Sequence, residues 1–126
     1  MDVKKINIIT SSLVSGGSEK NAVFLSNEFS KKNYLTTLIS LKDDGILKKK
    51  VSKNVNLVLL GKKRNRYKLL SLFGILRSKR QILSIMRDSN ILCLICGLFL
   101  KNIKIIVREG NRLNNLNFFY SFLIKI

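Results

Sequence analysis

The sequence predicts an α/β domain with a parallel sheet that is covered by helices on both faces. Short, β-branched apolar segments alternate with longer amphipathic segments along the 126 residues, as in folds built from strand–helix–strand units. The predicted strands are also apolar almost throughout, which is typical of strands buried on both faces. Because the sequence contains no internal repeat and no Pro/Gly/Ser-rich linker, we expect a single domain.

The first strand is predicted at Lys5–Thr10, directly after a charged start. A polar loop with two glycines follows, and a helix is predicted over about Glu19–Lys32. Ser18 is the expected N-cap, because its hydroxyl can accept a hydrogen bond from a first-turn N–H group. Glu19 suits the positive end of the helix dipole. Asn33 is expected to end the helix in a left-handed conformation.

Four more strands and one long helix are predicted in the rest of the chain. A second strand is expected at Tyr34–Leu41 and a third at Val55–Leu60, with the turn signal Asp43-Asp44-Gly45 between them. Apolar residues then recur at helical spacing, which predicts a helix over about Tyr67–Arg87. The last two predicted strands are Ile91–Cys96 and Ile103–Val107.

The chain is strongly basic, with 24 Lys and Arg against 7 Asp and Glu and a net charge of +17. Nine basic residues and no acidic residue lie between Gly61 and Arg87. Such a charge density attracts anions, including phosphorylated ligands and anionic lipid surfaces. On the predicted long helix, Arg77, Arg80 and Arg87 are expected to share a face and contact a membrane or another polyanion. A solvated basic face without a partner is the alternative.

The composition excludes several classes of site. The chain has no histidine, which excludes an imidazole base or imidazole metal ligand within it. Cys93 and Cys96 form a C-x-x-C motif, but on a strand they would point to opposite faces, so core packing is expected instead of a metal site or disulfide. We expect no metal and no cofactor. No apolar run approaches the ~20 residues of a membrane span, so a cytoplasmic protein, at most peripheral to the membrane, is expected.

Two loops are candidate binding sites, because ligands of parallel α/β sheets lie beyond the carboxyl ends of the strands. The first loop contains Gly16 and Gly17, which let the backbone approach a phosphate or a sugar closely. The following residues, Ser18 and Glu19, begin a helix whose free N–H groups favour anions. The loop matches neither the dinucleotide fingerprint nor the P-loop, and an ordinary tight turn is the alternative.

The second candidate loop follows the fifth predicted strand and contains Arg108, Glu109 and Asn111. Arg108 can bind a phosphate or carboxylate, and Glu109 can act as a base or accept hydrogen bonds from sugar hydroxyls. A solvent-exposed ion pair that closes the strand is the alternative. We expect both loops to lie at the same edge of the sheet, and no residue is assigned a catalytic role.

The order of these segments resembles the N-terminal domain of family 4 glycosyltransferases. A strand, the loop Ser12–Asn21, a helix with Leu25–Phe29 and the segment Lys31–Tyr34 before a second strand follow the pattern of that family. Ile105–Asn111 and Phe118–Ile126 are also similar, so the resemblance is collinear over essentially the whole chain. The chain departs from the pattern in having no histidine after the fifth strand and Asn90 in place of an Asp.

The resemblance implies a retaining hexosyltransferase of the GT-B type, which has two Rossmann-like domains. Such enzymes transfer a sugar from a nucleotide-sugar donor to a glycan or lipid-linked acceptor, as in polysaccharide biosynthesis. The N-terminal domain chiefly holds the acceptor, and its Gly-Gly loop faces the donor diphosphate. The second domain normally binds the donor, so we expect a truncated domain or one half of a split enzyme, inactive alone.

The alternative function is that of a small, basic, non-enzymatic protein that binds an anionic membrane or nucleic acid. The three Tyr and seven Phe residues fall mostly at core-like positions, and no aromatic platform for stacking bases is visible. Nucleic acid is therefore not expected as a partner. An anionic membrane surface at the inner face of the membrane is the favoured polyanion.

Overall fold

A computed structural model of the chain describes residues 3–43, 45–61, 65–77 and 81–108, without the side chains of 65 and 66. These residues form a Rossmann-like α/β fold with an all-parallel, five-stranded sheet of order β3-β2-β1-β4-β5. The strands are β1 (Lys5–Thr10), β2 (Leu35–Ser40), β3 (Asn56–Leu59), β4 (Gln81–Ile85) and β5 (Lys104–Arg108). The helices are α1 (Gly17–Lys31), α2 (Asn65–Leu76) and α3 (Arg87–Phe99), and a 3₁₀ helix spans Ile46–Lys50. The predicted fold class is confirmed.

The sheet separates two apolar clusters, one on each face. Alternate residues of a strand point to opposite faces, and Ile8 of β1 accordingly packs with Ala22 and Val23 of α1. Its neighbour Ile9 packs on the other face with side chains of α2 and α3. Both isoleucines are completely buried. The helices therefore cover both faces, as the near-continuous apolar character of the central strands predicted.

The fourth strand differs from the sequence prediction. The predicted helix Tyr67–Arg87 ends at Leu76, and β4 is formed by Gln81–Ile85. The predicted strand Ile91–Cys96 lies inside α3. Short apolar runs of this length are compatible with either structure, and pairing with β1, from Asn7↔Ile82 to Thr10↔Ile85, decides between them. These are contacts between residues far apart in sequence, which local periodicity does not report.

The ends of α1 test the predicted caps. Gly16 is the N-cap and Ser18 lies inside the first turn, so the assignment of Ser18 was wrong. At the other end Asn33 has a φ of 66°, and the Tyr34 N–H donates to the Phe29 carbonyl at 3.1 Å. This is the Schellman pattern, with the Phe29 and Tyr34 rings in edge-to-face contact at 5.1 Å. The left-handed role predicted for Asn33 is confirmed.

Candidate functional site

From β1 the chain adds β2 and β3 on one side of the sheet and then β4 and β5 on the other, so the strand order reverses between β1 and β4. In open parallel sheets, ligands bind beyond the carboxyl ends of the strands at such a switch point. Here the Thr10 hydroxyl at the end of β1 lies 3.6 Å from the sulfur of Met86, which follows β4. Met86 has a φ of 82°, a conformation that side chains rarely adopt and that occurs preferentially at functional sites.

Glu19 holds the loop between β1 and α1 in shape. Its side chain is buried and accepts a hydrogen bond of 3.2 Å from the Ser12 hydroxyl. The carboxylate lies so close to the N-cap that a Cβ on Gly16 would approach Glu19 Oε2 to 2.1 Å. A carboxylate in the first turn is stabilised by the helix dipole. Glu19 therefore stabilises the conformation of the loop. Its negative charge also lies near the N-terminus of α1, where an anionic ligand would otherwise be favoured.

The other residues predicted for substrate binding are placed as follows. Gly17 is exposed and no atom lies within 4 Å of the position its Cβ would take, so the space beside it is open. Ser18 is half-buried. Arg108 ends β5 and is exposed, two strands and therefore about 10 Å from β1 at the same sheet edge. Glu109 and Asn111 lie outside the described residues.

The structure separates the basic side chains that were predicted to share one helical face. Arg77 follows the last residue of α2 and is exposed, whereas Arg87 is the first residue of α3. The strand β4 lies between them in the chain, and Arg80 lies outside the described residues. The predicted single basic face was therefore wrong. Among the described helices, none is both long and apolar enough to cross the bilayer.

A cavity of about 220 Å³ opens at the carboxyl edge of the sheet, on the face that α2 and α3 cover. Its lining residues come from the ends of β1 and β2, from α2 and from the first turns of α3: Ser11, Leu41, Lys42, Lys68, Asp88, Ile91 and Leu92. This volume is below the ~300–1,000 Å³ of pockets for drug-sized ligands. The cavity is therefore suited to a small ligand at the switch point.

Lys68 is the unusual residue of this cavity, because the residue as a whole is only 8% exposed. Lys68, Leu72 and Leu76 are spaced by four residues along α2 and so share its inward face, where both leucines are completely buried. Within the described parts of the chain the Lys68 amine forms no hydrogen bond or ion pair. Lysine is rarely buried without a partner. This i, i+4 spacing was visible in the sequence and could have revealed Lys68.

Ser11 contributes a second polar group to the same cavity. It is 5% exposed, and its hydroxyl has no hydrogen-bond partner among the described residues. The opposing charge is Asp88, which is exposed to solvent. Among the described residues, Asp88 forms no ion pair with Lys68 across the cavity.

A larger cavity, of about 270 Å³, lies at the opposite, amino edge of the sheet between Lys5, Asn7 and Asn56. In this fold ligands bind at the carboxyl edge. The Asn7 amide is already engaged, donating a 3.0 Å hydrogen bond to the Gln81 carbonyl. Size alone therefore does not make this the functional cavity, and the smaller one at the switch point is the better candidate.

Cys93 and Cys96 lie on a helix rather than on the predicted strand, so they share one side of α3. Both are free and buried in the core. The conclusion that they pack in the core is confirmed, although the strand geometry behind it was wrong. Burial raises the pKa of Cys93 to about 12 and that of Cys96 to about 11. Thiols of this kind are unreactive near neutral pH.

No cluster of three metal-ligating His, Cys, Asp or Glu side chains is present among the residues that the structure describes. Comparison of the sequence with protein-family models gave no match, and neither did comparison with curated proteins. The candidate site is therefore defined by geometry. It consists of the Gly16-Gly17 loop, which Glu19 stabilises, of Arg108 at the same edge of the sheet, and of the cavity that Lys68 lines.

Proposed function

We propose that this chain is the acceptor-side domain of a GT-B glycosyltransferase, acting in the transfer of a sugar from a nucleotide-sugar donor to a glycan or lipid-linked acceptor. The observation that carries the proposal is the position of the Gly16-Gly17 loop. It follows the central strand β1 at the switch point of a Rossmann-like sheet. The loop sequence and its place in the fold agree with the family that the chain resembles.

The proposed roles follow from exposure and charge. The open space beside Gly17 lets a sugar or diphosphate approach the backbone of the loop. In this proposal the Glu19 carboxylate shapes the loop and does not bind substrate, because it is buried and accepts a hydrogen bond from the Ser12 hydroxyl. Arg108, exposed at the end of β5, supplies positive charge toward an anionic group of the ligand.

The net charge of +17 supports the further proposal that the domain docks on an anionic membrane surface at the cytoplasmic face, where a lipid-linked acceptor lies. Long-range attraction of this kind depends on total charge and needs no single basic face. The separation of Arg77 from Arg87 therefore does not contradict the proposal of membrane docking. A purely charge-driven polyanion binder would not need the open space beside Gly17.

The proposal is tested by recording backbone amide NMR shifts of the 126-residue chain during titration with glycans. The panel contains mono- and disaccharides and a short-chain polyprenyl-phosphate-linked saccharide, each with and without a uridine or guanosine diphosphate sugar. We expect saturable shifts at Gly17, Ser18 and Arg108. The absence of saturable shifts at these residues with every glycan would overturn the proposal.

A matched pair of variants controls for helix effects. Gly17→Leu places a side chain in the open space beside the loop and is expected to abolish the shifts. Gly74→Leu makes the same change in α2, also without an atom within 4 Å of the new Cβ, and is expected to leave glycan binding unchanged. Equal responses of the two variants would contradict the assignment of the Gly-Gly loop.

A further inference from the structure

We infer that the cavity between Ser11, Lys68 and the first turns of α3 is a binding site for a phosphate monoester group. The juxtaposition that carries this inference is the amine of a lysine that is only 8% exposed and a buried serine hydroxyl, both without partners among the described residues, beside one cavity of about 220 Å³. The inference goes beyond sugar transfer, because it stands on the cavity and holds whether or not the chain handles glycans.

The position of Lys68 is the first reason. Only 8% of the residue is exposed, its side chain lines the cavity, and the described residues supply no counter-charge to its amine. Asp88 lines the same cavity but forms no ion pair with Lys68. An anion in the cavity would provide the missing counter-charge to an ammonium with three hydrogen-bond donors.

The buried serine is the second reason. A buried polar group in a native structure is normally hydrogen-bonded, and an exception calls for an explanation. The Ser11 hydroxyl has no partner among the described residues, although Ser11 lines the cavity. A ligand oxygen beside it would accept a hydrogen bond from the hydroxyl, so that a single anion would satisfy both Ser11 and Lys68.

The surroundings favour a phosphate monoester over other ligands. The first turn of α3, which contributes Asp88 to the lining, places the positive end of a 13-residue helix beside the cavity. Together with the Lys68 amine and the Ser11 hydroxyl, this favours a doubly charged anionic group with several acceptor oxygens. Ile91 and Leu92 give one wall apolar character, and the exposed Asp88 can accept a hydrogen bond from a ligand hydroxyl. These features suit the carbon portion of a small hydroxylated ester.

The decisive experiment is calorimetric titration of the full chain with glycerol 3-phosphate, using variants of equal charge. Lys68→Met keeps the length of the side chain and removes the amine. Lys101→Met removes one charge at an exposed position after α3, so it reports the effect of net charge alone. We expect Lys68→Met to weaken binding at least tenfold and Lys101→Met less than twofold. Equal weakening by both variants would overturn the inference.

The phosphate group can belong to a soluble ester or to a lipid, and a second arm separates these sources. Vesicles of phosphatidylcholine with phosphatidic acid replace glycerol 3-phosphate, again with both variants. If Lys68→Met but not Lys101→Met loses binding to glycerol 3-phosphate, the ligand is a soluble ester. If the same difference is seen with the vesicles, the ligand is a lipid headgroup. Binding that depends on Lys68 in neither arm contradicts the site.

A measurement on the unmodified chain guards against a variant that fails to fold. The chain is titrated with glycerol 3-phosphate or with a soluble, short-chain phosphatidic acid. The backbone amide NMR signals of Ser11, Lys68 and Asp88 should shift together and saturate at one dissociation constant. Shifts spread over exposed lysines such as Lys20 and Lys101, without saturation at these three residues, would show non-specific attraction and overturn the inference.

Discussion

The side-chain amide of Asn90 donates a 3.0 Å hydrogen bond to the backbone carbonyl of Arg108. Asn90 lies in the first turns of α3 and is completely buried, whereas Arg108 is the last residue of the edge strand β5. The bond therefore fixes the start of a helix to the end of the strand that follows it. It sets the position from which the Arg108 side chain extends at the carboxyl edge of the sheet.

Asn90→Ala is expected to lower the free energy of unfolding by about 1–3 kcal/mol, because the completely buried Asn90 side chain and its hydrogen bond to the Arg108 carbonyl are lost. Asn21→Ala is the control, since Asn21 is exposed on α1 and its replacement should change stability by less than about 0.5 kcal/mol. Urea unfolding followed by circular dichroism measures both. Equal stability of the two variants would contradict a structural role for this bond.

The two adjacent glycines of the loop are expected to respond differently to alanine. A Cβ on Gly16 would collide with the Glu19 carboxylate at 2.1 Å, and that carboxylate is buried and bonded to Ser12. Gly16→Ala should therefore destabilise the fold by about 1–3 kcal/mol. Gly17→Ala meets no atom within 4 Å and should change stability by less than about 0.5 kcal/mol.

Thermal unfolding of both variants tests this contrast. The double variant Gly16→Ala with Glu19→Ala removes the collision as well as the carboxylate, so the two substitutions should be strongly non-additive. Additive effects would show that the Gly16 backbone and the Glu19 side chain do not meet.

Gly45→Ala is expected to be the most damaging glycine substitution. Gly45 has a φ of 128°, and a Cβ there would lie 2.0 Å from the carbonyl oxygen of Leu13. That carbonyl accepts a 3.0 Å hydrogen bond from the Leu47 N–H, so neither side can easily move. The combined strain and overlap should cost at least about 2 kcal/mol.

Gly74→Ala provides the opposite control. Gly74 lies in an exposed part of α2 with no atom within 4 Å of the new Cβ, and alanine is the better helix former. This variant should gain about 0.5–1 kcal/mol. Chemical denaturation of both proteins gives the sign directly, and destabilisation by Gly74→Ala would contradict the helical assignment there.

The sequence predicted the fold class and five elements to within two residues, namely β1, α1, β2, β3 and β5. These segments have clear boundaries, such as the left-handed Asn33 after α1 and Gly61, with a φ of 76°, after β3. The fourth strand could not be predicted locally, because Gln81–Ile85 and Ile91–Cys96 are both short apolar runs. Only pairing of Ile82 with Asn7 across the sheet distinguishes them.

The candidate site was predicted in part. Position alone placed the Gly-Gly loop and Arg108 at the carboxyl edge, because parallel strands share their direction. The buried state of Lys68 was missed, since lysine is normally exposed and the surrounding charge drew attention to the arginines instead. Its spacing with Leu72 was the local signal, but the lack of a counter-charge among the described residues depends on how α2 and α3 pack against the sheet.

Stability at high pH should depend on Cys93. Burial raises the pKa of its thiol from 9.0 to about 12, so the folded chain keeps a proton that the unfolded chain loses. The contribution of this pKa shift to the stability of the folded chain is full below pH 9 and is lost as the pH rises toward 12. The free energy of unfolding should therefore fall more steeply above pH 9 in the unmodified chain than in Cys93→Ala. Lysine and tyrosine titration is common to both proteins, so identical slopes would contradict the shift.

The 126-residue chain alone is expected to transfer no sugar. In the GT-B assignment proposed above, a second domain would hold the donor nucleotide and neutralise the leaving diphosphate, and such charge stabilisation supplies much of the rate acceleration. At the Gly-Gly loop described here, the nearest first-turn charge is the Glu19 carboxylate, which repels a diphosphate unless positive groups are added. Uridine and guanosine diphosphate sugars incubated with the chain and a polyprenyl-phosphate-linked saccharide should therefore release no nucleoside diphosphate above the level of a heat-denatured control. Turnover above that level, lost in Gly17→Leu but not in Gly74→Leu, would show that the single domain carries a complete catalytic site and would refute this prediction.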